Sequence, residues 1–270
     1  MAAQNYLRDR VSKLGVLVVI TVVVQLIYAS YVRPTADQWL KEQRAIAATT
    51  PGYTPQRSIW VIIKDPEQQA TVIIGIWAII LSVMRFRELK MQREMLSAGY
   101  FTKEAGVVIL PSDAREYLRT FEQLPPAQRD AVLPRVLAAA LKRFGATGNV
   151  QDASQSVHNT CESEHNRLDA ELAILRFSVW VAPALGFVGT VRGIGLALQG
   201  AELAVKGDTT AVTNGLGISF NSTLVALTLS ILLMYILHEI QLSQERLTLD
   251  IENYAEEELI SRLHSAEGDA

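Results

Sequence analysis

The chain is poor in the residues that soluble catalysts are built around. It has a single cysteine, Cys161, which excludes an intrachain disulfide and a cysteine-rich metal site and is expected to face a reducing compartment. Its four histidines, His158, His165, His238 and His264, fall at no metal-ligand spacing. There is no nucleotide-binding glycine loop, no nucleophile elbow, and no repeat or low-complexity tract. Enzyme is thus the least favoured class, and no cofactor and no nucleic acid is implied. Charge of one sign is also lacking: 25 basic residues stand against 28 acidic ones, a formal charge of −3 that says little about partners.

What the chain has in quantity is apolar sequence. Almost half of its 270 residues are hydrophobic and the mean hydropathy is positive, which places it in the membrane class. Residues 1–13 are polar and carry Arg8, Arg10 and Lys13; an apolar run over 14–32 follows, long enough to cross a bilayer and ending in Tyr28 and Tyr31 at interface positions. No small-residue cleavage site follows it, so it reads as a retained span. Residues 33–69 form a polar loop with Pro34, Pro51-Gly52 and Pro55 as breakers, a short helix over 35–47, and a segment 58–63 too short to cross, which either lies in the interface or pairs as a strand. Asp65-Pro66 supplies an N-cap and a first-turn proline for the second span, 70–86, whose helix continues through Met95.

Residues 87–172 read as a helical insert. One helix starts at Pro111-Ser-Asp113 and runs to about Gln123, another starts at Pro125-Pro126 and runs to about Gly145, and a third runs from Val150 into the third span. That span covers 173–199, a loop 200–210 follows, and the fourth span is 211–238. The tail, 239–270, continues as a helix with Ile240, Leu247, Ile251, Tyr254 and Leu259 on an apolar face, fit to pack between subunits or within one. The fold class is all-α integral membrane with four transmembrane helices, a helical insert and a C-terminal helical extension. Arg85, Arg87, Lys90 and Arg93 crowd the end of the second span, whereas the loop between the last two has only Lys206. The positive-inside rule then sets both termini and the insert in the cytoplasm, with loops 33–69 and 200–210 outside.

The last two spans carry the most information. At helical spacing Pro183, Gly186, Thr190, Gly193, Ala197 and Gly200 fall on one side of the third, and Gly215, Ser219, Ser222/Thr223, Ala226 and Ser230 on one side of the fourth. Two faces of small residues approach closely. Thr190 and Thr223 lie 14 to 15 residues from the cytoplasmic side, about 21 Å at the helical rise, so two hydroxyls at one level can ring a path. Packing alone explains the same pattern, since small residues are enriched at helix contacts in membranes and Gly189 to Gly193 is a GxxxG spacing. The sequence leaves both readings open.

Moving a proton needs a titratable group or a water chain at mid-depth. Away from the span ends the one charged side chain is Arg192, which does not deprotonate. A relay within this chain is disfavoured, and the carboxylate must come from another polypeptide.

Pro183-x-x-Gly186-x-x-Gly189-Thr190-Val191-x-Gly193, a short loop, and Gly215 followed eight residues later by Thr223 resemble the MotA/TolQ/ExbB proton-channel family of bacterial motor stators. Three positions depart from the family pattern: Ile218 stands where TolQ- and ExbB-like members carry a Glu, no proline follows Thr223 in the last span, and Arg192 stands where a Trp is common. The resemblance implies a multi-pass protein of the bacterial inner membrane and a homopentamer around a dimer of a single-span MotB/TolR/ExbD-like partner with a membrane Asp. Ion flow, H⁺ with Na⁺ as the alternative, would be converted into rotation. It implies that Thr190, Thr223, Ser219, Ser222 and Asn221 line the ion path, and that Pro183, Gly186, Gly189, Gly193 and Gly215 pack and shape the pore.

Three further readings accompany this one. Arg192 points about 200° from Thr190 and either snorkels to headgroups or pairs with Glu202 or Asp208 at a subunit boundary. Arg87, Lys90, Arg93 and Glu94 form a solvated helix face, which becomes a coupling surface where a cytoplasmic rotor exists. Two other functions compete: a non-conducting scaffold assembled through the small-residue stripes, and a secondary transporter, disfavoured for want of broken helices and repeats.

Overall fold

A computed structural model describes residues 2–50, 53, 56, 58–97 and 108–264, with side chains from residue 11 onward except at 122 and 127. The expected breakers Pro51-Gly52 and Pro55, and the last six residues of the expected C-terminal helix, lie outside that range. In chain order the helices are α1 (Ala2–Ile27), a π turn (Tyr28–Val32), α2 (Arg33–Thr49), α3 (Ile59–Ile63), α4 (Pro66–Leu96), α5 (Ala114–Glu122), α6 (Pro126–Arg129), α7 (Val132–Thr147), α8 (Val150–Glu171), α9 (Ala173–Gln199), α10 (Ala201–Val205), α11 (Thr210–Glu258) and a 3₁₀ turn (Ile260–Arg262). The protein is all-α, and four helical stretches are long and apolar enough to cross a membrane. Among the described residues the one β-type pairing is an isolated bridge between Ile109 and Leu263.

Prolines account for most differences from the sequence reading. Pro34 does not break the chain: α1, the π turn and α2 form one helical stretch from Val11 to Thr49. The π turn has an Arg33 N–H bonding Tyr28 O, and this change of register accommodates Pro34 at the start of α2 without ending the helix. The helix expected from Pro125-Pro126 to Gly145 is in fact two, α6 and α7, because Pro134 has no N–H for the carbonyl of Asp130 and is tolerated only in the first turn of a restarted helix. Gln92, buried, accepts from Val132 N at 3.3 Å and satisfies one donor at that restart. The 58–63 segment is not a strand: Ile59–Ile63 is helical, with Ser58 Oγ accepting from Trp60 N at 3.3 Å.

The chain divides into two units. One comprises residues 83–173 and 238–270. Its core is Leu133, Leu137, Leu141, Phe144, Leu168, Ile240, Leu247, Ile251 and Leu259, all fully buried. Gly148, at φ 66°, ends α7 and donates to Phe144 O at 2.7 Å, while Asn149 caps α8 by accepting from Gln151 N at 2.8 Å; the two make the α7–α8 hairpin. The tail packs within its own chain: Glu256 accepts from Ser154, Glu252 pairs with His158, and Asp250 pairs with Arg93. It does not run on as a helix, because after the 3₁₀ turn Ile109 N bonds Arg262 O at 2.8 Å and His264 N bonds Ile109 O at 3.2 Å.

The other unit comprises residues 1–82 and 174–237 and contains the apolar parts of α1, α4, α9 and α11. Its outside is hydrophobic, with Val18, Val22, Leu26, Trp180, Phe187, Phe220 and Ile231 all exposed. Apolar exteriors suit hydrocarbon.

Candidate functional site

The site is built on the contact between α9 and α11. A Cβ added to Gly186 would come within 2.5 Å of the Ala226 methyl, one on Gly193 within 2.6 Å of Gly215 O, and one on Gly215 within 2.5 Å of Ala197 N. Gly189 likewise has no room, facing the Ser222 side chain and Glu67 Cβ. The two small-residue stripes therefore meet each other inside one chain. Pro183 also belongs to this contact. It deprives Val179 O of its helical donor, and Ser230 Oγ on α11 donates to that oxygen at 3.2 Å.

At the edge of the seam Thr190 and Thr223 are joined hydroxyl to hydroxyl at 2.5 Å. Thr190 Oγ1 also lies 3.1 Å from Gly186 O and 3.4 Å from Ser219 O, Thr223 Oγ1 lies 3.2 Å from Ser219 O, and Ser219 Oγ donates to Thr190 O at 3.0 Å. Both threonines are half-buried, whereas Phe187 and Val191 beside Thr190, and Phe220 and Leu224 beside Thr223, are exposed. The pair sits where a packed, polar seam meets an open apolar surface. A hydroxyl there can donate or accept, so it can hold a carboxylate, a water or a cation.

The opposite flank of the seam is polar too, which the sequence reading missed. Gln68, buried on α4, donates from Nε2 to Ser222 Oγ at 3.1 Å. Arg192 donates from an NH₂ group to Glu67 Oε2 at 2.8 Å, its Nε stands 2.6 Å from Glu67 Oε1 as an ion-pair contact without hydrogen-bond geometry, and Asp65 Oδ1 stands 3.6 Å from the same guanidinium. Within its own chain Arg192 is thus held by Glu67 and Asp65. Its partners come from the start of α4, where the Glu67 side chain is only 10% exposed. Burial raises the Asp65 carboxyl pKa, and Arg192 and Lys64 draw it partly back. Further along, Gln69 accepts from Arg33 at 2.8 Å and donates to Gln25 at 2.5 Å. The signal lies in the run Glu67-Gln68-Gln69, but a span that begins at residue 70 leaves 66–69 in the loop.

Of the remaining candidates, Ser222 stands with Gln68 on this flank, and Asn221 is turned about 200° from Thr223 to line a separate cavity. In the other unit Arg93 pairs with Asp250 at 3.1 Å, Lys90 reaches Glu94 at 4.0 Å, and Arg87 is exposed.

The family model described as the MotA/TolQ/ExbB proton channel family matches residues 128–253, a stretch that contains Thr190, Thr223 and the whole seam. Over that stretch the chain is similar to the MotA/TolQ/ExbB proton channel family. That similarity and four membrane-length helices support a multi-pass membrane protein and a component of a proton-channel-type membrane complex. The family is associated with transport rather than catalysis. Neither the curated proteins nor the solved structures compared with the chain contain a match.

Proposed function

We propose that this MotA/TolQ/ExbB-like chain is the channel-forming stator subunit of a membrane motor driven by the proton-motive force in the bacterial inner membrane. Five copies surround a dimer of a single-span MotB/TolR/ExbD-like partner, and the partner's membrane aspartate supplies the titrating group. Thr190 and Thr223 hydrogen-bond that carboxylate, or a water beside it, as the proton is taken up on one side and released on the other.

The observation that supports this reading is the joined hydroxyl pair at the rim of a packed seam, bordered by exposed Phe187, Val191, Phe220 and Leu224. An apolar surface with two hydroxyls at one level suits a helix carrying one polar side chain. A scaffold assembled through the small-residue stripes is less favoured, because those stripes are used within the chain.

The test is ion flux in proteoliposomes. The chain would be reconstituted alone and with the single-span protein that co-purifies with it, each as wild type and as Thr190→Val/Thr223→Val. Flux that needs the partner and disappears in the double variant is the expected result, and proton against sodium gradients identify the ion. An assembled complex with no flux in either gradient, after removal of any plug on the partner, would replace the stator with the scaffold.

A further inference from the structure

The unit that holds the threonine pair also contains two neighbouring cavities, of about 250 and 210 Å³, which share Lys64 and Asp65 in their walls. The larger has Arg44, Lys64, Asp65, Thr213, Asn214 and Asn221 as polar lining and Leu40 and Val61 among its apolar lining. None of these residues bears on the hydroxyl pair.

Charge decides what kind of ligand fits. Across both cavities the cations are Arg33, Arg44 and Lys64 and the acids are Asp37 and Asp65. Both acids are engaged, Asp37 with Lys64 at 3.6 Å and Asp65 with Arg192 at 3.6 Å. Arg44 is exposed and has no acidic partner among the described residues. The surplus is positive, and the amides of Asn214 and Asn221 add donors. A cation would be repelled here, so the cavity is a poor entrance for a transported proton or sodium ion; an anion is attracted.

Position decides the source of the anion. The stretch from Val11 exposes Val18, Val22, Val23, Leu26 and Ile27, then Tyr31, whose ring meets Trp60 edge-on at 5.1 Å, and then reaches Arg33. An exposed apolar run closed by aromatic rings and followed by charge marks the edge of the hydrocarbon layer, with the headgroup layer next to it. Lys64 in the cavity wall lies next to that edge, on the side that the positive-inside count places outside, and Arg44 stands about three turns further along α2.

We propose that the cavity lined by Arg44, Lys64, Asn214 and Asn221 binds the phosphate of a membrane phospholipid, with Leu40 and Val61 against the glycerol and the first acyl carbons. Free phosphate satisfies the cations but leaves the apolar lining unused. This site does not depend on the stator reading.

The experiment is a titration of the purified full-length chain in detergent with dihexanoyl phosphatidylglycerol, read by native mass spectrometry and by the thermal shift. Wild type should bind saturably, and Arg44→Gln should weaken binding at least tenfold with unchanged circular dichroism. Arg115→Gln, at an exposed arginine of the other unit, should leave binding unchanged. Equal affinity in Arg44→Gln and wild type would overturn the proposal, as would equal binding of dihexanoyl glycerol, which lacks phosphate. Displacement by inorganic phosphate at matching concentration would assign the site to a soluble anion and overturn the lipid.

Discussion

In the unit of residues 83–173 and 238–270 the large side chains point inward and Phe144 is 0% exposed; in the unit of residues 1–82 and 174–237 they point outward and Trp180 is 82% exposed. The first surrounds its core with ion pairs: Arg135 and Arg167 both hold Glu164, Arg167 reaches Glu171, and Glu171 meets Arg85. The second places its polar groups inside, as threonines, serines, glutamines and the Arg192–Glu67 pair between helices. One sequence thus satisfies two solvents. Water expels Phe144 and solvates arginines, whereas hydrocarbon offers large apolar side chains no reason to hide, so there helices associate through close backbone approach and hydrogen bonds.

Truncating the large side chains would break this contrast most directly. Phe144→Ala should cost about 3–5 kcal/mol in chemical denaturation, as a core cavity does. Phe187→Ala, at an exposed position in the other unit, should change stability in detergent by less than about 1 kcal/mol, since detergent tails fill the space that the ring vacates. Comparable destabilisation at both positions would mean that the outside of that unit is a packed core after all.

Enlarging a small residue is the converse test. Gly193→Leu should cost upwards of about 3 kcal/mol, because its Cβ meets Gly215 O and the Ser219 backbone, neither of which can turn aside. Melting temperature and size-exclusion profile in detergent measure this, and a wild-type profile would show that the seam opens. Gly195→Leu, with nothing within 4 Å of its Cβ, is the control and should be tolerated.

A smaller effect is expected at the ion pair. Glu67→Gln leaves Arg192 with one neutral acceptor in place of a charged one and removes the ion pair, at about 1–2 kcal/mol given that the arginine is partly exposed. Arg192→Gln in the same background should return part of that loss. Simple additivity in the double-mutant cycle would show that the pair is uncoupled.

The smallest effect sharpens the comparison on the wet side. His158 bonds Glu252, and this hydrogen bond together with the attraction of the carboxylate raises its pKa above 6.5. A raised folded pKa means that the pair's contribution is fully present below the unfolded value and fades as pH rises through the folded one. Stability should therefore decline slightly as pH rises from 6.5, and His158→Gln should flatten that slope. An imidazole titrating at or below 6.5 by NMR would contradict it.

Much of this is legible in the chain itself. Four apolar runs, two small-residue stripes and two threonines at matching depth follow from the helical repeat alone, because periodicity and rise are local properties. Prolines are harder to read. Pro34 looks the same in a loop as in the first turn after a π bulge, and Pro134 looks like an interior residue of the helix that it restarts.

What sequence alone determined, then, is which segments are helical, which of them suit hydrocarbon, and which face of each is narrow. Tertiary structure decided who answers whom. Ser230 takes up the carbonyl that Pro183 frees 51 residues earlier in the chain at Val179, and Glu67 meets Arg192 from 125 residues away. Such pairings depend on how helices distant in sequence are rotated and staggered against each other, and no local rule of rise or period contains that information.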